Sequence, residues 1–564
     1  MNDWKVIFLT LKHKIRKLNK QHFIKGGIFI NNRLKQIQTY LPILFILLYG
    51  ILLTYKLQKF PGSFIDEINY MNEVQSLAKF GTDIHGFKNP IYFSSFWGQG
   101  QSILYAWIVV PFIKLFGFNV LSFRLPFVCL MLGVIFCLWF ITRHNWKLSL
   151  CIITSFVLSP WIFQSTRWVL DCNTAPIFFI FGLCALWGMT KYQKQTKQRY
   201  ILLIISSILF SLCAYGYVLA WFYLPLIFLS LLVFNYFKKL FSWQEILIAA
   251  SLMFIFTLPL MIFAIRTHIM HVTDTMKFLW FDIPYLTDTR ASSFIDFHAA
   301  NLWKEIFNNT FEVFKIYLNG SDCWDWDSIA PYGVILPLML PLTFLGFITP
   351  QKLLGKHLYL FKQFLLIAFI VHLPLIFILK PMYYHFTFFN LLLVIFTGFG
   401  LFYAFNLIGK PTYILLFIAL LNFTLFTKDY FNYNRGQLFH YEEGQKLFSS
   451  VDLKKNKLYW SRNIGSVVTN APKFKLSVSP ISAKQYEQYL GYTKEETLDN
   501  NKMSNISHYG PLYDDTWLSE AQPGDYFAVT VDDPILSQIN SEQWEYQNSY
   551  NYQGSIVSIY KLKG

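Results

Sequence analysis

Charge is what this chain most lacks. Asp, Glu, Lys and Arg make up 14% of its 564 residues, against 54% hydrophobic and 20% aromatic. A soluble fold of this length needs more charge, so the average character is that of a protein solvated by lipid. Cysteine is also sparse: seven occur, none beyond Cys323, which excludes disulfides within the C-terminal region, and their spacing holds no metal motif. Internal repeats and low-complexity segments are absent. Ionisable side chains are almost missing from the centres of the apolar runs, where a proton- or ion-coupled transporter places them. His372 is the one clear mid-span candidate and reads as a hydrogen-bonded packing residue. The formal net charge of +16 does not call for nucleic acid, because the basic residues lie in an N-terminal segment and in short connectors, the positive-inside pattern.

The repeated apolar runs of about 18 to 22 residues match a helix crossing a hydrocarbon core of roughly 30 Å. Residues 1–36 carry nine Lys or Arg against the single acid Asp3, which places the N-terminus in the cytoplasm. The first span therefore exits, and the apolar stretch 102–118 decides every later orientation. Read as a juxtamembrane helix on the outer face, it leaves the connectors 143–147, 191–199, 238–239 and 352–356 and Lys410 in the cytoplasm, as the charge rule requires. The result is an all-α polytopic membrane domain over 37–427 with about eleven spans, near 37–55, 124–142, 148–166, 173–190, 199–214, 216–237, 244–265, 331–349, 358–379, 382–406 and 411–427. Outer loops cover 56–123 and 266–330, and a small α/β or β-rich domain fills 428–564, with strand-like runs at 457–460, 526–531 and 555–562. That domain and both loops are expected outside, in a plasma membrane.

The first outer loop opens with Phe60-Pro-Gly-Ser-Phe-Ile-Asp-Glu-Ile-Asn-Tyr70, so two adjacent carboxylates, Asp66 and Glu67, sit at the membrane surface. On a helix adjacent side chains point about 100° apart, so the two do not form a proton-sharing dyad, and either one alone suits a general base. On spacing alone the pair also fits a solvated start to an interfacial helix.

The ordered set Phe64-Ile-Asp-Glu-Ile-Asn-Tyr70, Gly81-Thr-Asp-Ile-His-Gly86, Phe93-Ser-Ser-Phe-Trp-Gly98, Pro111-Phe-Ile-Lys-Leu-Phe-Gly-Phe-Asn119, Phe123-Arg-Leu-Pro126, Ser159-Pro-Trp161 and Arg167-Trp-Val-Leu-Asp171 resembles bacterial members of glycosyltransferase family 39, relatives of the protein O-mannosyltransferases and lipid A aminoarabinose transferases. The resemblance implies a GT-C fold, a polyprenyl-phosphate-linked sugar donor, and an extracytoplasmic acceptor that is a cell-wall glycan, a glycolipid or a protein. It implies an inverting transfer with Asp66 as base and Glu67 beside it, and adds Asp171 to the catalytic set. A nucleotide-binding fold is then not needed. One departure concerns the Glu-Lys-Pro segment that the aminoarabinose transferases carry before the juxtamembrane helix. Here the stretch reads Trp97-Gly-Gln-Gly-Gln101, without the lysine or the metal-binding acid, so no metal or other cofactor is assigned.

The donor phosphate then needs other cations, and Arg124, Arg167, Arg266, Lys380 and His385 stand near outer helix ends. Each also fits a snorkelling anchor, and Arg167 with Asp171 fits an i, i+4 ion pair. Within Ser321-Asp-Cys-Trp-Asp-Trp-Asp327, Trp324, Asp325 and Trp326 suit sugar stacking and hydroxyl recognition, or an interfacial aromatic belt. The acids lack the full EF-hand pattern and do not support calcium. Readings from other classes are a lipid-linked-sugar flippase or other transporter, and a noncatalytic scaffold binding wall components.

Overall fold

The computed structural model describes residues 40–63, 65–95, 100–286, 293–321, 328–432, 451–452, 456, 458–460, 521–552 and 555–564. Among them the chain runs through α1 (Tyr40–Thr54), α2 (Ile65–Phe80), α3 (Leu104–Phe116), α4 (Val120–Thr142), α5 (Trp146–Val157), α6 (Pro160–Arg167), α7 (Thr174–Met189), α8 (Lys197–Ala214), α9 (Ala220–Lys238) and α10 (Trp243–Ala264). A short hairpin follows, β1 (Met276–Phe278) and β2 (Phe281–Ile283), then α11 (Leu302–Asn319), α12 (Leu340–Ile348), α13 (Gln351–His372), α14 (Leu375–Ile378), α15 (Thr387–Leu407) and α16 (Pro411–Asn432). Eight helical segments among the described residues are long and apolar enough to cross a membrane, or nine with one bent pair taken as a single span. All eleven expected spans fall on helical stretches, but those at α1 and at Pro337–Ile348 are shorter than a membrane crossing needs.

Two expected spans are not single straight helices. The stretch 148–166 breaks into α5 and α6, which meet at 66°. Ser159 makes the break: its hydroxyl accepts from Ile162 N as the N-cap of α6 and donates to Val334 O at 2.8 Å, while Pro160 cannot supply the N–H that would continue α5. The stretch 358–379 likewise divides between α13 and α14, with Pro374 at the N-cap of the second. The 102–118 stretch folds as expected into a separate short helix. At 13 residues α3 is about 20 Å long, short of a bilayer core.

The 266–330 segment contributes α11, a helix not expected from the sequence. Trp303, Phe307, Phe311, Phe314 and Leu318 form an exposed apolar stripe along one face, while Asn309, Val313 and Ile316 are buried on the other; this is the pattern of an interfacial helix.

The core centres on α15, whose residues 387–402 are almost all buried. It crosses α12 at backbone contact: a Cβ at Gly400 would stand 1.6 Å from Leu342 O, and one at Gly346 1.9 Å from Phe396 O. Small residues bring helices this close where no water drives their association. At the C-terminus, β3 (Leu458–Trp460), β4 (Tyr526–Thr530), β5 (Trp544–Tyr552) and β6 (Ser555–Leu562) form one sheet in the order β3-β4-β6-β5. The β3–β4 pair is parallel and the others antiparallel, over a small core of Tyr459, Phe527, Val529 and Trp544.

Candidate functional site

Two buried arginines fix the passage from α1 into α2. Arg167, the last residue of α6, donates through Nη1 to Leu53 O (2.6 Å) and Leu52 O (3.3 Å), and through Nη2 to Tyr55 O (2.8 Å) and Phe60 O (3.0 Å). A cation thus caps the carbonyl end of α1, where unpaired acceptors and the helix dipole favour it. Its guanidinium also lies 5.1 Å from the Phe163 ring and 5.0 Å from that of Phe431. Arg124, near the start of α4, donates from Nη1 to Leu57 O (3.0 Å) and Pro61 O (2.8 Å), and from Nε and Nη2 side-on to Glu67 at 2.8 and 2.5 Å. Arg124 and Glu67 are both fully buried. Neither arginine presents a bare guanidinium to a phosphate. Nor is Arg167 the i, i+4 partner of Asp171, since α6 ends at Arg167 and no ion pair joins the two among the described residues.

Glu67 also accepts from Val169 N at 3.1 Å, so it ties α2 to both α4 and the chain after α6. Its neighbour Asp66 is half-buried. From Asp66 a web of hydrogen bonds crosses to the far helices. Gln101 Nε2 donates to Asp66 O at 3.1 Å, and Ser102 N donates to Asp171 Oδ2 at 2.8 Å. Asp171 Oδ1 accepts from Cys172 N at 2.9 Å within the 3-10 turn Asp171–Asn173, and Thr387 Oγ1 donates to Cys172 O at 3.2 Å. Asp66, Asp171 and the start of α15, remote in sequence, therefore meet.

One helical step beyond each of these anchors stands a buried polar side chain. Asn69 Oδ1, Thr174 Oγ1 and Asn390 Nδ2 find no hydrogen-bond partner among the described residues, and neither do Gln101 Oε1 and Ser102 Oγ. Residues three apart share a helix face, and buried polar atoms left unpaired mark a place where water or a polar ligand is received.

His385 lies in the 3-10 turn Tyr383–Phe386, which packs on the Asp171 turn. Its Nδ1–H donates to Lys380 O at 2.8 Å. Lys380 is half-buried, and its ammonium makes no hydrogen bond or ion pair to another described residue. Arg266 stands apart, paired with the exposed Asp274. Trp324, Asp325 and Trp326 lie outside the described residues. His372 is enclosed: Nδ1–H donates to Ala368 O at 2.7 Å, and its ring lies 4.4 Å from Tyr223 and 5.5 Å from Phe388.

The rest of the first loop is built on a second buried acid pair, Asp83 of the Gly81–Gly86 motif and Glu73, which no motif marks. Glu73, inside α2, accepts from Ile84 N at 3.1 Å, and Asp83 Oδ1 accepts from His85 N and Phe87 N at 3.0 and 2.8 Å. Burial first, and the charge of Asp83 second, hold the Glu73 carboxyl well above its usual range. The segments 56–123 and 266–330 are sewn together, with Lys88 N donating to Asp282 Oδ2 at 2.8 Å and Ser94 Oγ to Tyr285 O at 3.2 Å. Among the described residues no three His, Cys, Asp or Glu side chains gather as metal ligands would.

No protein-family model matches the chain, and no curated protein matches it. Solved structures do. The crystal structure of ArnT from Cupriavidus metallidurans bound to undecaprenyl phosphate superposes with a TM-score of 0.58 at 9% identity, covering 92% of this chain and 97% of that one. ArnT from the same organism in the apo state gives 0.54 at 8% identity over the same shares. The chain has the GT-C fold.

Proposed function

We propose that this protein is an outward-facing membrane glycosyltransferase, moving a sugar from a polyprenyl-phosphate donor to an extracytoplasmic hydroxyl acceptor, with Asp66 as general base. The observation that carries the reading is the division of labour between adjacent carboxylates. Glu67 is locked in a buried ion pair, whereas Asp66 sits half-buried at the edge of the web that reaches Asp171, and Asn69, Gln101, Ser102 and Thr174 along that web carry unpaired polar atoms. The likeness to an ArnT structure bound to undecaprenyl phosphate supports the donor class.

In this mechanism the Asp66 carboxylate accepts the proton of the acceptor hydroxyl as that oxygen attacks the anomeric carbon. The bond from that carbon to the phosphate oxygen breaks, and polyprenyl phosphate leaves with the electron pair. Charge developing on the phosphate needs a cation that is not already spent. That condition moves the role from Arg124 and Arg167 to Lys380, with His385 beside it. Asp171 is a positioning residue, holding the backbone at Ser102. The test is to incubate purified protein with a labelled polyprenyl-phosphate sugar and candidate wall-polymer, glycolipid and protein acceptors. Release of free polyprenyl phosphate together with a labelled acceptor is expected; passage of intact donor across vesicles without product would make the protein a transporter.

A further inference from the structure

A second site lies at the end of α15 opposite Thr387. The helices α1, α5, α15 and α16 leave there a cavity of about 600 Å³, within the size range of ligand-binding cavities. Its two ends differ in chemistry. Lys147 and Trp146 at the start of α5, and Lys410 and Tyr413 at the turn into α16, form the mouth, while Leu150, Leu416 and neighbouring apolar side chains line the interior. Both lysines are exposed and no acid lines the cavity. Lys147 leans over the Trp146 ring at 5.9 Å, and neither lysine joins an ion pair among the described residues. Gly409 shapes the mouth: it holds φ +67° at the α15–α16 turn, and a Cβ there meets nothing within 4 Å. A left-handed glycine lets the helices turn sharply without a side chain across the opening.

Two ammonium groups and two amphipathic aromatic rings above an apolar channel are complementary to one kind of molecule, an amphiphile with an anionic head. We propose that this groove binds an anionic phospholipid of the adjacent leaflet, its phosphate between Lys147 and Lys410 and an acyl chain along α5 and α16. A zwitterionic lipid carries its own ammonium to the same mouth and gains less. The chain's residues 1–36, with nine basic side chains against one acid, carry the wrong charge to compete. The site is independent of the transferase reading, since it lies at the C-terminal end of α15, about 30 Å along that helix from Thr387 at its start, and shares no residue with the web around Asp66.

The test uses the full-length protein in detergent micelles, titrated with dioleoyl phosphatidylglycerol or dioleoyl phosphatidylcholine and read by native mass spectrometry. Wild-type protein is expected to retain the anionic lipid about tenfold better. Lys147→Gln with Lys410→Gln should remove the preference, the double arginine variant should keep it, and Leu416→Trp should reduce retention of both lipids by filling the channel. Thermal melting of each variant separates lost binding from lost folding. Equal retention of the two lipids by the wild type, or a preference that survives in a folded double glutamine variant, would overturn the assignment.

Discussion

Glu67 and Arg124 meet side-on in a fully buried, two-point ion pair, and the pair exhausts the arginine. Its five N–H groups go to Glu67 twice, to Leu57 O, to Pro61 O and, at 3.4 Å, to Ser63 Oγ. A guanidinium so committed organises the loop and has no donor left for a ligand. Arg124→Gln should therefore strand a buried carboxylate at a cost of about 3–5 kcal/mol, seen as a large drop in melting temperature or loss of the monodisperse peak in detergent. A variant that melts normally and has weakened only in donor binding would return Arg124 to the phosphate site.

Arg167 makes a related prediction with a sharper control. Its four carbonyl acceptors, Leu52, Leu53, Tyr55 and Phe60, span the end of α1 and the start of the loop, a spread that matches a planar fork. A lysine keeps the charge but concentrates it at one point. Arg167→Lys should destabilise almost as much as Arg167→Gln, each lost charge-assisted bond costing about 1.5–3 kcal/mol. Rescue by lysine would mean that charge alone, not carbonyl capping, is what the site requires.

Glu73 should give a pH signature. Its folded pKa is raised from 4.5, so between that value and the folded pKa the native state binds more protons than the unfolded chain, and stability falls as pH rises through this window. Below 4.5 both states are protonated and the contribution is complete. Glu73→Gln copies the protonated form and should flatten the decline in melting temperature as pH rises above 4.5, with little change below that value. Melts by intrinsic fluorescence across that range decide it; an unchanged slope would mean that Glu73 ionises freely in the folded loop.

The sequence makes the helices and the two-carboxylate motif readable because both are local. Apolar runs declare spans, and Asp66-Glu67 stands at the first of them. What it cannot display is which partner each charge takes. Arg124 and Arg167 read as phosphate ligands because they sit near helix ends, yet their acceptors are carbonyls and a carboxylate that only the packed loop brings within reach. Breaks are legible in part: Ser159-Pro160 carries a helix stop and start, but the hydrophobicity on either side disguises two helices as one span. α11 was hidden because its apolar stripe alternates with Lys304, Glu305, Asn308 and Glu312, which lowers the mean hydropathy below that of a span. In the C-terminal sheet, β3, β4 and β6 follow apolar or alternating runs, whereas the edge strand β5, Trp544–Tyr552, is rich in Gln, Asn and Ser and pairs only with β6, so little apolar signal is needed.

Orientation is a separate matter from helix placement, and labelling addresses it directly. The charge rule puts the connector at Gln195 on the cytoplasmic side and positions 300 and 500 outside. In a background with the native cysteines replaced, Ala300→Cys and Asn500→Cys should react with a membrane-impermeant maleimide added to intact cells, and Gln195→Cys only after permeabilisation. The reverse pattern would invert the protein and turn Asp66 toward the cytoplasm.

The last prediction concerns Asp66 and uses its neighbour as control. Asp66→Asn preserves shape and leaves the backbone bond from Gln101 intact, but removes the carboxylate's ability to take a proton. The variant should insert, melt like the wild type and lose about a hundredfold to ten-thousandfold of its transfer rate, while still binding donor. Glu67→Gln should fail in a different way, by loosening the buried pair with Arg124, so its loss of activity should track its loss of stability. The two effects separate if turnover and melting temperature are measured on the same preparations with one defined donor and acceptor. A stable Asp66→Asn enzyme with near-normal turnover would remove Asp66 as the base, and the search would move along the web to Asp171 and His385.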